Sequence, residues 1–201
     1  MQTVLRPMGW RERRVFGLCV GLSLLAHAAL VWLALPGSAN GRGGAGGLAE
    51  RFARAVNAAT DLDPAVWGRL EGAVRKVRRG GWQKVHMAQT LEKLGRAMGL
   101  PVEGAEVLRA LDPERSREGR WDIRVWLRWG SDRKVDDVLV LAFLVGEGTL
   151  KSDFGSHRFW IHLETPEGSG RLAFQTVDCR LYRNGKLTGP DLLHRAEWFD
   201  R

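Results

Sequence analysis

The chain has 201 residues, 44% of them hydrophobic, with a formal net charge of +8. That is enough for one domain with a real core. Its two cysteines, Cys19 and Cys179, lie in an apolar N-terminal run and in the distal part, which excludes a disulfide within the folded domain. Arg6, Arg11, Arg13 and Arg14 against Glu12 put +3 ahead of the apolar run, leaving +5 for everything after it. That modest excess suits anionic lipid, peptidoglycan or nucleic acid without selecting among them.

Residues 1–14 form a basic tail. Residues 15–35, "VFGLCVGLSLLAHAALVWLAL", carry no formal charge over 21 positions. A bilayer core about 30 Å thick needs roughly 20 helical residues, so this run is a predicted transmembrane helix. Arginines crowd its N-terminal side and only Arg42 follows closely. The bias places the N-terminus in the cytoplasm and the distal domain across the membrane. Trp10 and Trp32 fall near the two ends, where indoles favour the interface. Ser23 and His27 are four apart and share a helix face, which Cys19 continues one turn earlier. Gly17 and Gly21 form a small-xxx-small pair, extended by Ala28 on an adjacent face, that lets another helix approach closely. An ionisable group at mid-membrane is costly and points to a partner-facing or proton-handling role.

The stretch "SLLAH", inside a lone N-terminal span after a short basic tail, resembles the SxxxH motif of TonB- and TolA-type energy transducers. The resemblance covers about residues 1–35, with Ser23 and His27 at the matching positions. It implies a single-pass protein of a bacterial inner membrane with a periplasmic domain. It also implies that the span packs against a proton-driven motor of the ExbB/ExbD or TolQ/TolR kind. The long Pro-rich spacer of those families is replaced here by "PGSANGRGGAGG", residues 36–47. A Gly-rich coil of that length spans about 20 Å, which would hold the domain near the inner membrane. Two other readings stand beside this one. In one, the span is only the anchor of a scaffold or assembly factor of a secretion or envelope complex. Alternatively, Gly37, Ser38 and Ala39 form a signal-peptide cleavage site that releases a secreted binding protein or enzyme.

Residues 48–201 read as an α+β domain. Leu48, Phe52, Val56 and Ala59 mark a first amphipathic helix, with Glu50 paired to Arg54 on its other face. Asp63 reads as the N-cap of a second helix with Pro64 at its first position. Val66, Trp67, Leu70, Ala73, Val74 and Val77 form its stripe, and Gly80 and Gly81 end it. A third helix is predicted over 83–98, with Met87, Leu91, Leu94 and Met98 inward, Glu92 paired to Arg96, and Gly99 and Pro101 as the stop. A short helix is predicted over 106–111, and 112–119 reads as a polar loop.

The period then changes to two. Trp121, Ile123, Val125, Leu127 and Trp129 alternate with Asp122, Arg124 and Arg128. "VLVLAFLV", residues 138–145, is apolar on both faces and predicts a central strand. Phe159, Ile161 and Leu163 point inward from the next strand. "RLAFQTVDCRLY" shifts register near Gln175 and Thr176, suggesting a bulge, and Asn184-Gly185 signals a hairpin. "PDLLHRAEWF" reads as a terminal helix. The predicted architecture is about three helices on one face of a four- or five-stranded antiparallel sheet.

No G-x-S-x-G, H-E-x-x-H or P-loop motif is present, and "DFG" at residues 153–155 lacks the other kinase elements, so neither catalysis nor a cofactor is expected. His157 and His162 sit five apart on a strand, on opposite faces, so they form no metal pair. The basic stretch "RKVRRGGWQK", residues 75–84, suits a helix C-terminus or an anionic polymer; in a periplasmic setting lipid or cell wall is favoured over nucleic acid. Arg124, Trp126, Arg128, Arg158 and Trp160 share the outward face of the predicted sheet and form the candidate interaction surface of the domain.

Overall fold

The computed structural model describes residues 45–129, 135–166 and 168–200. The predicted span at residues 15–35, with Gly17, Gly21, Ser23 and His27, lies outside them. Among the described residues no helix is long and apolar enough to cross a membrane. Internal contacts divide the chain between Met1–Arg42 and Gly43–Arg201, and the fold below belongs to the second unit.

Helix α1 (Ala45–Asn57) buries Leu48, Phe52 and Val56, one per turn. Asp63 caps α2 (Pro64–Arg75) by accepting the Ala65 N–H at 2.6 Å, and Pro64 opens the helix where no N–H is needed. A 3-10 turn (Arg79–Trp82) then drops the Trp82 indole wholly into the core. Helix α3 (Lys84–Ala97) buries Met87 and Leu91 and stops ahead of Gly99, whose φ is +82°. The predicted short helix over 106–111 is instead part of strand β1 (Val102–Arg109). The polar loop folds as one short helix, α4 (Pro113–Arg117), capped by Asp112.

Strand β2 (Trp121–Arg128) is followed by the main departure from the sequence reading. The apolar run 138–145 belongs to helix α5 (Asp136–Lys151), and every residue from Val138 to Thr149 is buried. A segment apolar on all sides fits either a central strand or an enclosed helix, and periodicity alone does not separate them. Asp136 and Asp137 in the first turn favour the helix through its dipole. Strands β3 (Ser156–Thr165) and β4 (Gly168–Gln175) then form a hairpin. The register change expected at Gln175 and Thr176 is where β4 gives way to α6 (Thr176–Arg183). Asn184 and Gly185 end that helix rather than turning a hairpin, with Gly185 at φ +67°. The expected terminal helix forms over its first half as α7 (Gly189–His194), with a capping box between Thr188 and Asp191, while its second half enters strand β5 (Glu197–Asp200), which closes the sheet.

The sheet runs in sequence order, β1-β2-β3-β4-β5. It is mixed rather than antiparallel: β2 and β3 are parallel because α5 carries the chain back between them, and the other pairs are antiparallel. One face, with Ile123, Val125, Leu127, Phe159, Ile161, Leu163, Leu172 and Phe174, merges with the buried residues of the helices into a single core. Two glycines let α5 sit at its centre. A Cβ on Gly146 would collide with the Cys179 carbonyl of α6, and one on Gly148 would collide with Met87 and Trp82. The outer edge of β1 is covered by α3: Glu92 accepts the Ala105 N–H at 2.9 Å, while Arg96 donates to the Val102 carbonyl at 3.1 Å. The i,i+4 pair read from the sequence thus also blocks a sheet edge.

Candidate functional site

Alternation along the strands and the register between them fix what the second face of the sheet displays. One row crosses it as Leu108, Asp122, Arg158 and Gln175. The next is Glu106, Arg124, Trp160, Ala173 and Glu197, and the third is Gly104, Trp126, His162, Arg171 and Phe199. Arg128 and Glu164 are paired in register beyond them. All five residues of the candidate surface therefore lie on one face, opposite the helical core.

They are not equivalent. Trp160 is buried, yet it stands apart from the main core cluster. Its ring is tilted against Phe199 at 5.3 Å, with the Arg158 guanidinium 5.6 Å from its centre. Its Nε1–H donates to Asp122 at 3.0 Å. Asp122 itself is only 1% exposed and also accepts the N–H groups of Leu111 and Arg158, at 3.1 and 3.3 Å. Alternation assigns Asp122 to the outer face correctly but gives no hint of its burial, because that face carries its own packed layer of side chains. The arginines are engaged as well. Arg124 meets Glu106 at 3.3 Å, Arg158 meets Glu197 at 3.3 Å, and Arg128 pairs with Glu103. Such partly exposed pairs contribute modestly to stability, but they neutralise these three arginines.

What remains for a ligand is the third row. Trp126 and His162 stack at 4.9 Å with 18° between their planes, and Gly104 lies beyond the far side of the indole. The flat sides of the rings are thus directed along the sheet, and the face is poorly suited to receiving a stacked base or sugar. Beside them, Arg171 lies between His162 and Phe199 in register and has no ion pair among the described residues; its Nε is buried without a hydrogen-bond partner. Arg171 and Phe199 are missing from the sequence-derived surface, since membership depends on the pairing of β4 and β5 with β3, which sequence alone does not supply. His157 lies at the start of β3, where the register between β2 and β3 shifts. Burial is the largest influence on it and holds its imidazole below the ordinary histidine value; Asp122 pulls the other way, and Arg158 and Arg115 add to the depression.

Among the described residues no group of three or more His, Cys, Asp or Glu side chains is placed to hold a metal ion. Cys179 is fully buried, and burial pushes its thiol far above the ordinary range. The basic stretch 75–84 is split between the end of α2, the 3-10 turn and the start of α3. No protein-family model matches the chain, and no curated protein or solved structure is significantly similar to it.

Proposed function

We propose that this chain is an inner-membrane-anchored component of a bacterial cell-envelope machine, with residues 15–35 as the anchor and the Gly43–Arg201 unit as a periplasmic docking domain. In this reading Ser23 and His27 contact a proton-driven motor subunit, in the manner of TonB- and TolA-type transducers. Gly17 and Gly21 allow the close helix approach that contact needs. The sheet face then receives an envelope protein that offers a carboxylate to Arg171 beside the Trp126–His162 stack. The observation that carries the proposal is the Ser23–His27 spacing at the centre of an uncharged 21-residue run behind a basic tail. The sheet face, where Arg171 has no ion pair among the described residues, supports the docking half.

The test is photocrosslinking in cells from probes placed around Ser23 and His27, with intact mass measured on the same extracted protein. A full-length chain crosslinked to a polytopic membrane protein along the Ser23–His27 face is the expected result. His27→Ala should abolish the crosslink and His27→Asn should retain it if polar contact suffices; loss in both assigns protonation a role. A chain that begins near Asn40 refutes the proposal, and replacement of residues 15–35 by a generic span without loss refutes motor coupling.

A further inference from the structure

We propose that the end of the domain formed by the 3-10 turn and the C-termini of α2 and α5 is a docking surface for an anionic lipid bilayer. The inference rests on the membrane-anchored reading above for its setting. From Gly43 onward the chain has 26 basic and 22 acidic residues, so its charge excess is small. Much of that excess gathers at this one end. Among the described residues the ion pairs of Arg75 and Lys151 there go to Glu71 and Glu147, and Arg183 draws on both of these as well; a third carboxylate, Asp153, accepts the Lys84 N–H at 3.1 Å. Lys76, Arg78 and Arg79 are exposed and have no acidic partner among the described residues.

The cations are not alone. Val77, Arg79, Leu150 and Lys151 line an open cleft of about 290 Å³, and Leu150 is 47% exposed although it follows twelve buried residues of α5. Val85, in the first turn of α3, is 70% exposed. Exposed aliphatic side chains set among unpaired cations match a lipid surface, where headgroup phosphates take the charge and the boundary with the acyl chains takes the apolar groups. A water-soluble polyanion would reward the cations but leave Leu150 in water. That difference selects the bilayer as the occupant.

The Gly43–Arg201 unit has its own core, so it is tested without residues 15–35. The probe is vesicles of phosphatidylethanolamine with about a quarter phosphatidylglycerol, read by co-sedimentation against all-neutral vesicles. Binding to the anionic vesicles alone, weakening as salt rises, is the expected result. The triple variant Lys76→Gln, Arg78→Gln, Arg79→Gln should bind about a hundredfold more weakly, at about fivefold per cation. A charge-matched control, Arg54→Gln, Lys93→Gln, Arg117→Gln, should bind within about twofold of the parent if the effect is local. Leu150→Gln should weaken vesicle binding severalfold and leave retention on a polyphosphate column unchanged. Equal losses in the triple variant and its control, or tight polyphosphate binding with no vesicle binding, overturn the inference. Failure here while the full chain is extracted intact from membranes removes only this surface; a chain starting near Asn40 removes the anchored reading whatever the vesicles show.

Discussion

Asp122 offers the sharpest test of how the outer face of the sheet is held together. Its Oδ2 accepts from the Leu111 N–H and the Trp160 indole, and its Oδ1 accepts from the Arg158 N–H. Asp122→Ala strands three donors in a place where the parent side chain is 1% exposed. A buried donor left without a partner costs roughly 1–3 kcal/mol, and some of the three will recover water at the edge of the face. The expected loss is therefore about 3–5 kcal/mol, a large part of a domain's stability. Asp122→Asn keeps one carbonyl oxygen. Placed at the Oδ2 site it retains two bonds and turns its amide toward the Arg158 N–H, so about 1–3 kcal/mol is lost. Trp160→Phe removes one donor and leaves the carboxylate two others, for about 1 kcal/mol from the hydrogen bond plus a small packing term. Urea unfolding of the Gly43–Arg201 unit, followed by far-ultraviolet circular dichroism, measures all three. The double variant with Asp122→Ala and Trp160→Phe should destabilise by less than the sum of the two, because the indole no longer lacks an acceptor. An Asp122→Ala protein within about 1 kcal/mol of the parent would falsify the account of a second packed layer.

Other expectations follow from the same contacts. Gly146→Ala drives a Cβ into the Cys179 carbonyl and should cost about 2–4 kcal/mol, whereas Gly68→Ala, in exposed helix with nothing within 4 Å, should gain about 0.5–1 kcal/mol in thermal or urea unfolding. Burial opposes the charge on Glu147, but hydrogen bonds from Lys151 and Arg183 outweigh it and hold the carboxyl below the ordinary glutamate range. A depressed carboxylate stabilises the fold above its unfolded value and loses that contribution as pH falls through the folded one. Acid unfolding monitored below about pH 4.5 should therefore be steeper in the parent than in Glu147→Gln, and identical slopes would contradict the network. Arg171→Gln should leave unfolding within about 0.5 kcal/mol, since Arg171 has no ion pair among the described residues, and should weaken capture of the envelope partner if Arg171 is its anchor.

The parts of the fold legible in the sequence were those fixed by local chemistry. The Asp63-Pro64 cap, the Glu92–Arg96 pair and the inward alternation of Ile123, Val125 and Leu127 each follow from neighbours a few residues apart. The misread parts needed distant information. Residues 138–145 satisfy a strand and a buried helix equally, and the deciding facts are the close approaches that Gly146 and Gly148 permit to α6, Trp82 and Met87. At Asn184-Gly185 the hairpin signal falls on a helix end, because both arrangements place a glycine at positive φ. The antiparallel expectation fell with the strand at 138–145, since a helix in that position returns the chain and makes β2 and β3 parallel.

The two surfaces of the domain differ in how they handle charge, and this sets how each should answer to salt. On the sheet face Arg124, Arg128 and Arg158 are already matched to Glu106, Glu103 and Glu197, so a partner gains little from long-range attraction there. In the proposed reading affinity at that face would come from packing beside the Trp126–His162 stack and from one short contact at Arg171, and it should fall only slightly between low and physiological salt. Near the 3-10 turn three cations lack acidic partners among the described residues, so attraction to an anionic surface is long-ranged and should be screened as the Debye length shrinks to about 8 Å. Measuring partner capture and vesicle binding across the same salt series separates the two. If both decline in parallel, the face ion pairs are not neutralising Arg124 and Arg158 in solution, and the assignment of a specific contact to one face and an electrostatic one to the other is wrong.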